Sequence, residues 1–414
     1  MNNMKKRVFD PALYFDALRQ LRMIGIASTV VMTIAALLLP VAKLVAVLSE
    51  QADMGVVGIE SITYYAANPF IVLSFVVVAP LLTLTVFSFL NKRSGSDFYH
   101  AAPNNRLSLF FSLFAAVATW LLIALTVSTL LSVLFWLCTS TWFHLNMASA
   151  LVTFFNMLAA SLYVAAAVAL AMCVTGTTFT NVVVSLLIIF LPRLLVLVFT
   201  EILASNMPLV SALNMLPIMS SQYNIVTNLI YGMLLGNGVG DTFLFAGGGF
   251  YTLMVGLLFV VAGAILFVRR RSESAGHAAP NRILQAVYRL ACAMVICLIP
   301  CAAILGTVLN PNNRLVSSDI FFIVVLYIIA VLVYFGYELI TTRKWKRLLQ
   351  AVPALGILAL LNLAFIGGVY GAWQGILHTK PTAEEIKSVR LISNRIDNYY
   401  YQETYFDVGT EKIR

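Results

Sequence analysis

Long apolar stretches alternate along this chain with short polar ones, and the polar ones are mostly basic. Nine apolar runs reach the roughly 20 residues that a bilayer-spanning helix needs. They are Met23–Leu48, Pro69–Leu90, Leu107–Leu137, Met147–Val174, Val182–Ala204, Phe250–Val268, Ala286–Leu309, Ile320–Ile340 and Leu348–Trp373. Asn68 followed by Pro69 has the order of an N-cap and a first helical residue. Ser318 and Asp319 offer capping side chains at the start of the eighth run. The pattern predicts an all-α polytopic membrane protein.

Two segments depart from simple spans. Asp10 and Pro11 resemble a cap and first helical residue, and Leu13, Ala17, Leu18 and Leu21 then share one face opposite Asp16, Arg19 and Gln20. This predicts a short amphipathic helix on the inner membrane surface, within a first segment of residues 1–22. Ser205–Gly249 is apolar but broken by Pro208, Pro217, Gly232, Gly236, Gly238 and Gly240, which favours a re-entrant or interfacial outer hairpin. After Trp373 the character changes. Ser388–Ile392 and Tyr399–Val408 are rich in β-formers, so residues 374–414 are expected to form an external β-containing segment, the start of a module that continues beyond Arg414.

Composition agrees with the pattern. The chain is 61% hydrophobic and 10% charged, against about 45–50% and about 25% in soluble domains, and its mean hydropathy is +0.93. The net charge of +9 does not point to nucleic acid, because the basic residues crowd into alternate short loops. Lys5, Lys6, Arg7, Arg19 and Arg22 precede the first run; Lys92, Arg93 and Arg106 follow the second. Arg269, Arg270, Arg271, Arg282 and Arg289 flank the connection over 269–285, and Arg343, Lys344, Lys346 and Arg347 fill the last inner one. The intervening loops are nearly free of Lys and Arg. The positive-inside rule then puts the N-terminus in the cytosol and the C-terminus outside. The five cysteines have no zinc-site spacing and are expected to be free thiols.

Candidate chemistry is sparse. There is no phosphate-cradling G-x-x-x-x-G-K-[ST], no H-E-x-x-H and no G-x-S-x-G. No catalytic residue, metal ligand or cofactor site is therefore expected in this chain. Lys43, Arg193 and Glu201 are charges in or near spans, and Glu338 lies near another span end. Such charges are costly in lipid and mark either structural contacts or a translocation path. Lys43 is placed to snorkel outward; Arg193 and Glu201 are two turns apart on one helix face. The loop 91–106 is the most informative. Ser96 is a plausible N-cap for a turn or two of helix ending at Pro103, carrying Asp97, Phe98, Tyr99 and His100. Its aromatics suit headgroup contact or docking into a partner's groove.

The run Lys92-Arg93-Ser94-Gly95-Ser96-Asp97-Phe98-Tyr99-His100-Ala101-Ala102-Pro103 resembles a loop of Ytr-like permease subunits from Gram-positive ABC transporters, of the type-2 exporter class. Arg271-Ser272-Glu273-Ser274-Ala275-Gly276 with Pro280 resembles their second cytosolic loop. The resemblance covers about the first 280 residues. It implies a six-span permease core over 23–268, with three additional spans over 286–373, in a bacterial plasma membrane. It further implies a cytosolic ABC ATPase dimer binding ATP and Mg, a second permease copy or related permease, and an ATPase-coupling helix built on Ser96, Asp97, Phe98, Tyr99, His100 and Pro103. The helix bearing Leu13, Ala17, Leu18 and Leu21 would brace the same ATPase. The implied role is export of an amphiphile such as an antimicrobial peptide, drug or lipid, including antimicrobial peptide resistance. A channel or secondary transporter would need buried acids or a polar stripe, and a lipid- or peptide-processing membrane enzyme would need a catalytic constellation; both are alternatives.

Overall fold

The computed structural model describes residues 9–54, 60–64, 69–101, 105–206, 224–227, 229–230, 246–309, 316–378, 388–391 and 404–407. Among them, nine helices are long and apolar enough to cross a membrane. The long helices are α1 (Pro11–Met54), α4 (Arg106–Cys138), α5 (Met147–Val174), α6 (Thr178–Asn206), α7 (Ala246–Arg269), α8 (Arg282–Leu309), α9 (Ser317–Thr342) and α11 (Pro353–His378). The remaining span is composite. It runs from a 3₁₀ turn (Pro69–Val72) through a π-helical turn (Ser74–Val78) and α2 (Ala79–Val86) to a second 3₁₀ turn (Phe87–Asn91). Two short helices complete the set: α3 (Arg93–Ala101) and α10 (Lys346–Ala351). Strands β1 (Glu60–Ile62) and β2 (Phe143–Leu145) pair in parallel, and β3 (Ser388–Leu391) and β4 (Thr404–Asp407) pair antiparallel. Large apolar side chains such as Met23, Leu151, Phe321 and Leu332 stand exposed on the helices, as lipid rather than water requires.

Three expectations need correction. The amphipathic helix does not lie apart on a membrane surface: α1 is one continuous helix of 44 residues, about 66 Å long at 1.5 Å per residue. No breaker interrupts Arg22-Met23, and the parallel helix α4 covers the apolar face. Ala17 and Leu21 are buried, with Leu13 and Leu18 packed against the same core. The Asp10 amide donates to Ser112 Oγ (3.0 Å), Tyr14 Oη bonds Thr119 Oγ1 (3.0 Å), and Trp120 Nε1 donates to the Leu18 carbonyl (3.4 Å). Gly25 lies under the Trp120 ring, where a Cβ would come within 2.3 Å of it. Second, Ser96 is not a cap, since α3 begins at Arg93 and Ser96 is buried within it. Third, the ninth run breaks at Val352, because Pro353 has no N–H and restarts the helix as its first residue.

The composite second span has a comparable cause. Pro80 sits in the first turn of α2, where it cannot donate to the carbonyl four residues earlier and its ring crowds it. The preceding turn widens to π geometry instead. Asn68, the expected cap there, lies outside the described residues, as does most of the hairpin over Ser205–Gly249.

The tightest packing joins α5 to α7. Glycines recur every seventh residue on α7: Gly249 faces Asn156, Gly256 faces Tyr163, and Gly263 faces Phe110 and Leu170. A Cβ at Gly256 would lie 3.1 Å from the Tyr163 Cα. On α5, Ala159, Ala160 and every residue of Ala165-Ala166-Ala167 are buried. Both numberings rise together, so the two helices run parallel, with backbones close enough for dispersion contact along the seam.

Helices α8, α9 and α11 form a second packed group. Leu290, Ala293, Met294 and Cys297 of α8 pack with Ala330 and Tyr334 of α9 and Leu358 of α11. Helix α6 connects this group to the rest: Ile202 and Leu203 pack with Leu305, Leu309 and Val369, and Val184 joins Ala171 of α5 to Tyr288 and Tyr337.

Candidate functional site

Chemistry-bearing side chains gather at the end of the bundle where α1 and α4 begin. Helix α3 hangs there between the second span and α4. The Ser96 amide donates to the Lys92 carbonyl (2.9 Å), and a Cβ on Gly95 would touch Phe89 at 3.2 Å. The Tyr99 ring lies 4.2 Å from the Phe89 ring, centroid to centroid, so Tyr99 faces inward. Asp97 is exposed, and Phe98 presents 73% of its surface. Of the expected coupling residues, the structure therefore presents Asp97 and Phe98 outward and uses Ser96 and Tyr99 as the mount. His100 belongs to α3, with its side chain outside the described set, and Pro103 lies outside the described residues.

Arginines fasten the neighbouring loops. The buried Arg270 guanidinium donates to the Met172 carbonyl at the end of α5 and to the Leu90 carbonyl at the end of the second span (2.8 Å). Burial lowers its pKa from the usual arginine value, opposed by nearby Cys173 and Tyr288, and an arginine keeps its charge regardless. Arg106 donates to the carbonyls of Val268 (3.1 Å) and Arg270 (3.0 Å). These cations meet the negative ends of α5 and α7, where a helix dipole favours them. Gly276, at φ +82°, donates to the Gly176 carbonyl (2.8 Å). A Cβ on Gly176 would lie 2.0 Å from the Ser274 carbonyl oxygen, so this loop contact requires glycine.

Between the end of α7, the start of α8 and the end of α9 is a cavity of about 1000 Å³. A second, apolar cavity of about 220 Å³ lies deeper, between the composite span, α5 and α6, with Phe75, Pro80, Val164, Leu186 and Ile230 among its lining. Its polar residue Ser185 bonds back to Asn181 (2.7 Å). It is smaller than the roughly 300 Å³ of a typical ligand pocket and suits an alkyl or aryl group.

The intramembrane charges fall into different places. Lys43 pairs with Glu60 at 3.2 Å, half-exposed, and ties β1 to α1. Arg193 is buried on α6 and lies within electrostatic range of Tyr251 and Tyr163, whereas Glu201 of the same helix is exposed. A further pair escaped the sequence: Arg289 Nη1 meets Glu338 Oε2 at 2.8 Å, with side chains 10% and 6% exposed. Gln285 Nε2 donates to the same carboxylate oxygen (3.1 Å), and the guanidinium lies 5.0 Å from the Tyr334 ring centroid. The signal was available. Arg289 and Glu338 lie nearly equally far from the middle of the connecting segment 310–315, so an antiparallel hairpin brings them together.

The fold defines the class: a multi-pass α-helical membrane protein. No family model, curated protein or solved structure matches the chain.

Proposed function

We propose that this chain is the membrane-spanning subunit of an ATP-driven transporter, with α3 as the element that engages a separate cytosolic ATPase. One observation carries this reading. A short helix at the basic end is rigidly mounted through Ser96 and Tyr99 while Phe98, a large aromatic, projects outward beside Asp97. An exposed aromatic on a fixed mount is the anchor that a partner's groove recognises. The mount supplies the mechanics: the Tyr99 ring packs against Phe89 at a 35° tilt, and the 3₁₀ turn Phe87–Asn91 joins α3 to the composite span that lines the apolar cavity. A push on α3 would reach that span with little slack. The cavity's lining suits the apolar part of an amphiphile, which agrees with export of a peptide, drug or lipid. The resemblance of residues 92–103 and 271–280 to Ytr-like permeases supports the same assignment, with the N-terminus cytosolic and a second permease completing the complex.

The test is purification of the native complex in mild detergent with mass spectrometry of its components. Co-purification of a soluble ATPase, lost in a Phe98→Ala, Asp97→Ala variant that still folds, supports the proposal. A protein recovered alone after crosslinking in intact cells refutes it.

A further inference from the structure

The large cavity is lined by cations from four helices and the connections beside them. Arg93 comes from α3, Arg269 and Arg271 from the end of α7 and the loop after it, Arg282 from α8, Lys344 from the α9–α10 connection and Arg347 from α10. Arg270 also reaches it but is committed to backbone carbonyls. Glu273 is the sole carboxylate of the lining. Among the described residues, the two ion pairs are Lys43–Glu60 and Arg289–Glu338. None of the six cavity cations is, among the described residues, within ion-pair distance of a carboxylate. Like charges gathered around one concavity repel, and a counter-anion joining them relieves that repulsion. The start of α8 opens onto the same space through Asn281 and Arg282, adding the positive end of a 28-residue helix.

The surroundings narrow the anion. The cavity lies where the spans end, at the basic end of the bundle. Beside it Ile283 (76% exposed) and Val287 point outward from α8, and Trp345 and Leu349 (77% exposed) from the α9–α11 connection. A tryptophan between Lys344 and Lys346 has the composition of an interfacial anchor. A soluble phosphate would use the cations and none of this apolar surface, and would occupy a small part of about 1000 Å³. An amphiphile uses both.

We propose that this cavity binds an anionic phospholipid, its phosphodiester headgroup among Arg271, Arg282 and Lys344 and its acyl chains along the outward face of α8. The lipid would then cement the second helix group to the loop Ser272–Gly276, which docks on Gly176. The headgroup ligands Arg271, Arg282 and Lys344 lie outside α3, which contributes only Arg93 to the lining, and lipid binding does not depend on an ATPase partner.

Native mass spectrometry of the full chain, titrated with phosphatidylglycerol or phosphatidylcholine, tests this. Each basic side chain near a headgroup contributes about five-fold in affinity. The triple variant R271Q/R282Q/K344Q is thus expected to bind phosphatidylglycerol on the order of 100-fold more weakly, with phosphatidylcholine binding unchanged. R19Q/R22Q, which removes two exposed charges from α1 at the same end, is expected to bind as the parent does. The charge-keeping variant R271K/R282K is expected to retain most binding, which separates loss of charge from misfolding. Equal phosphatidylglycerol affinity in the parent and triple variant overturns the proposal. So does full displacement of the lipid by millimolar inorganic phosphate, which would assign the cavity to a soluble anion. Loss of a co-purifying protein from the triple variant with lipid binding intact would assign it to an acidic partner and overturn it equally.

Discussion

Replacing Glu338 by alanine strands the Arg289 guanidinium between α8 and α9, with one tenth of its side chain exposed. Its Nη1 loses the 2.8 Å bond to the carboxylate, and Gln285 Nε2 loses the nearer of its two acceptors, at 3.1 Å, keeping Thr341 Oγ1 at 3.4 Å. Among the described residues Arg289 Nε has no hydrogen-bond partner, and Tyr334, its ring centroid 5.0 Å away, is left as the neighbour of the charge. Removing one partner of a buried pair costs about 3–5 kcal/mol. The Tyr334 ring already faces the guanidinium in the parent and offsets nothing further, so Glu338→Ala is expected to destabilise by about 3–5 kcal/mol. Glu338→Gln keeps an acceptor and should cost less, about 1–2 kcal/mol. The double variant Arg289→Met, Glu338→Met removes both charges and fills the space with flexible apolar chains; it is expected to lie within about 1 kcal/mol of the parent or above it. Reversible unfolding in mixed detergent–SDS micelles reads all three. A Glu338→Ala variant as stable as the parent, or a double variant worse than either single, would show that the pair does not hold α8 to α9 as argued.

Four further outcomes are expected. Phe98→Ala should leave the melting temperature unchanged while weakening ATPase binding about 30-fold, the loss of an anchor worth about 2 kcal/mol; Tyr99→Ala, which strips the ring from Phe89, should lower the melting temperature as well. Gly256→Ala places a methyl 3.1 Å from the Tyr163 Cα and should cost about 1–3 kcal/mol in the same SDS titration, while Gly306→Ala, with open space around it, should cost nothing measurable. Gly176→Ala cannot keep its contact with the Ser274 carbonyl, so limited proteolysis after Arg271 should accelerate. Of the cysteines, Cys138 is the exposed one, at the end of α4 remote from the basic cavity; a membrane-impermeant maleimide added to intact cells is expected to label it, and labelling only after permeabilisation would reverse the topology drawn from the basic loops.

The spans were legible in the sequence because lipid permits little else: each needs a long apolar run, and each run coincides with one of the nine candidate spans. The internal make-up of those helices was less legible. The break at Pro353 could have been read from the proline alone, whereas the π turn at Ser74–Val78 depends on how the Pro80 ring is accommodated. The face formed by Leu13, Ala17, Leu18 and Leu21 was visible as apolar, but periodicity states that a face is buried and not against what; α4 covers it. The same limit applied to α3. Ser96, Phe98 and Tyr99 stood out together by residue type, and only the contact with Phe89 separates the mount from the exposed tip. The spacing of Gly249, Gly256 and Gly263 was in plain view, and its meaning needed the matching seven-residue rise from Asn156 to Tyr163 on α5.

That glycine seam bears on where the molecule can deform. Glycine has no side-chain rotamers to exchange, and at Gly256 and Gly263 the α7 backbone lies directly against the α5 backbone at Tyr163 and Leu170, so α5 and α7 have little room to repack. Around the apolar cavity the lining differs: Leu186, Phe190 and Ile230 border empty space and have more than one rotamer by type, and the adjoining π turn departs from regular helix. Bistable behaviour belongs to surfaces that can repack. Compliance is therefore concentrated between the composite span and α6, while α5 and α7 act as the frame against which they move.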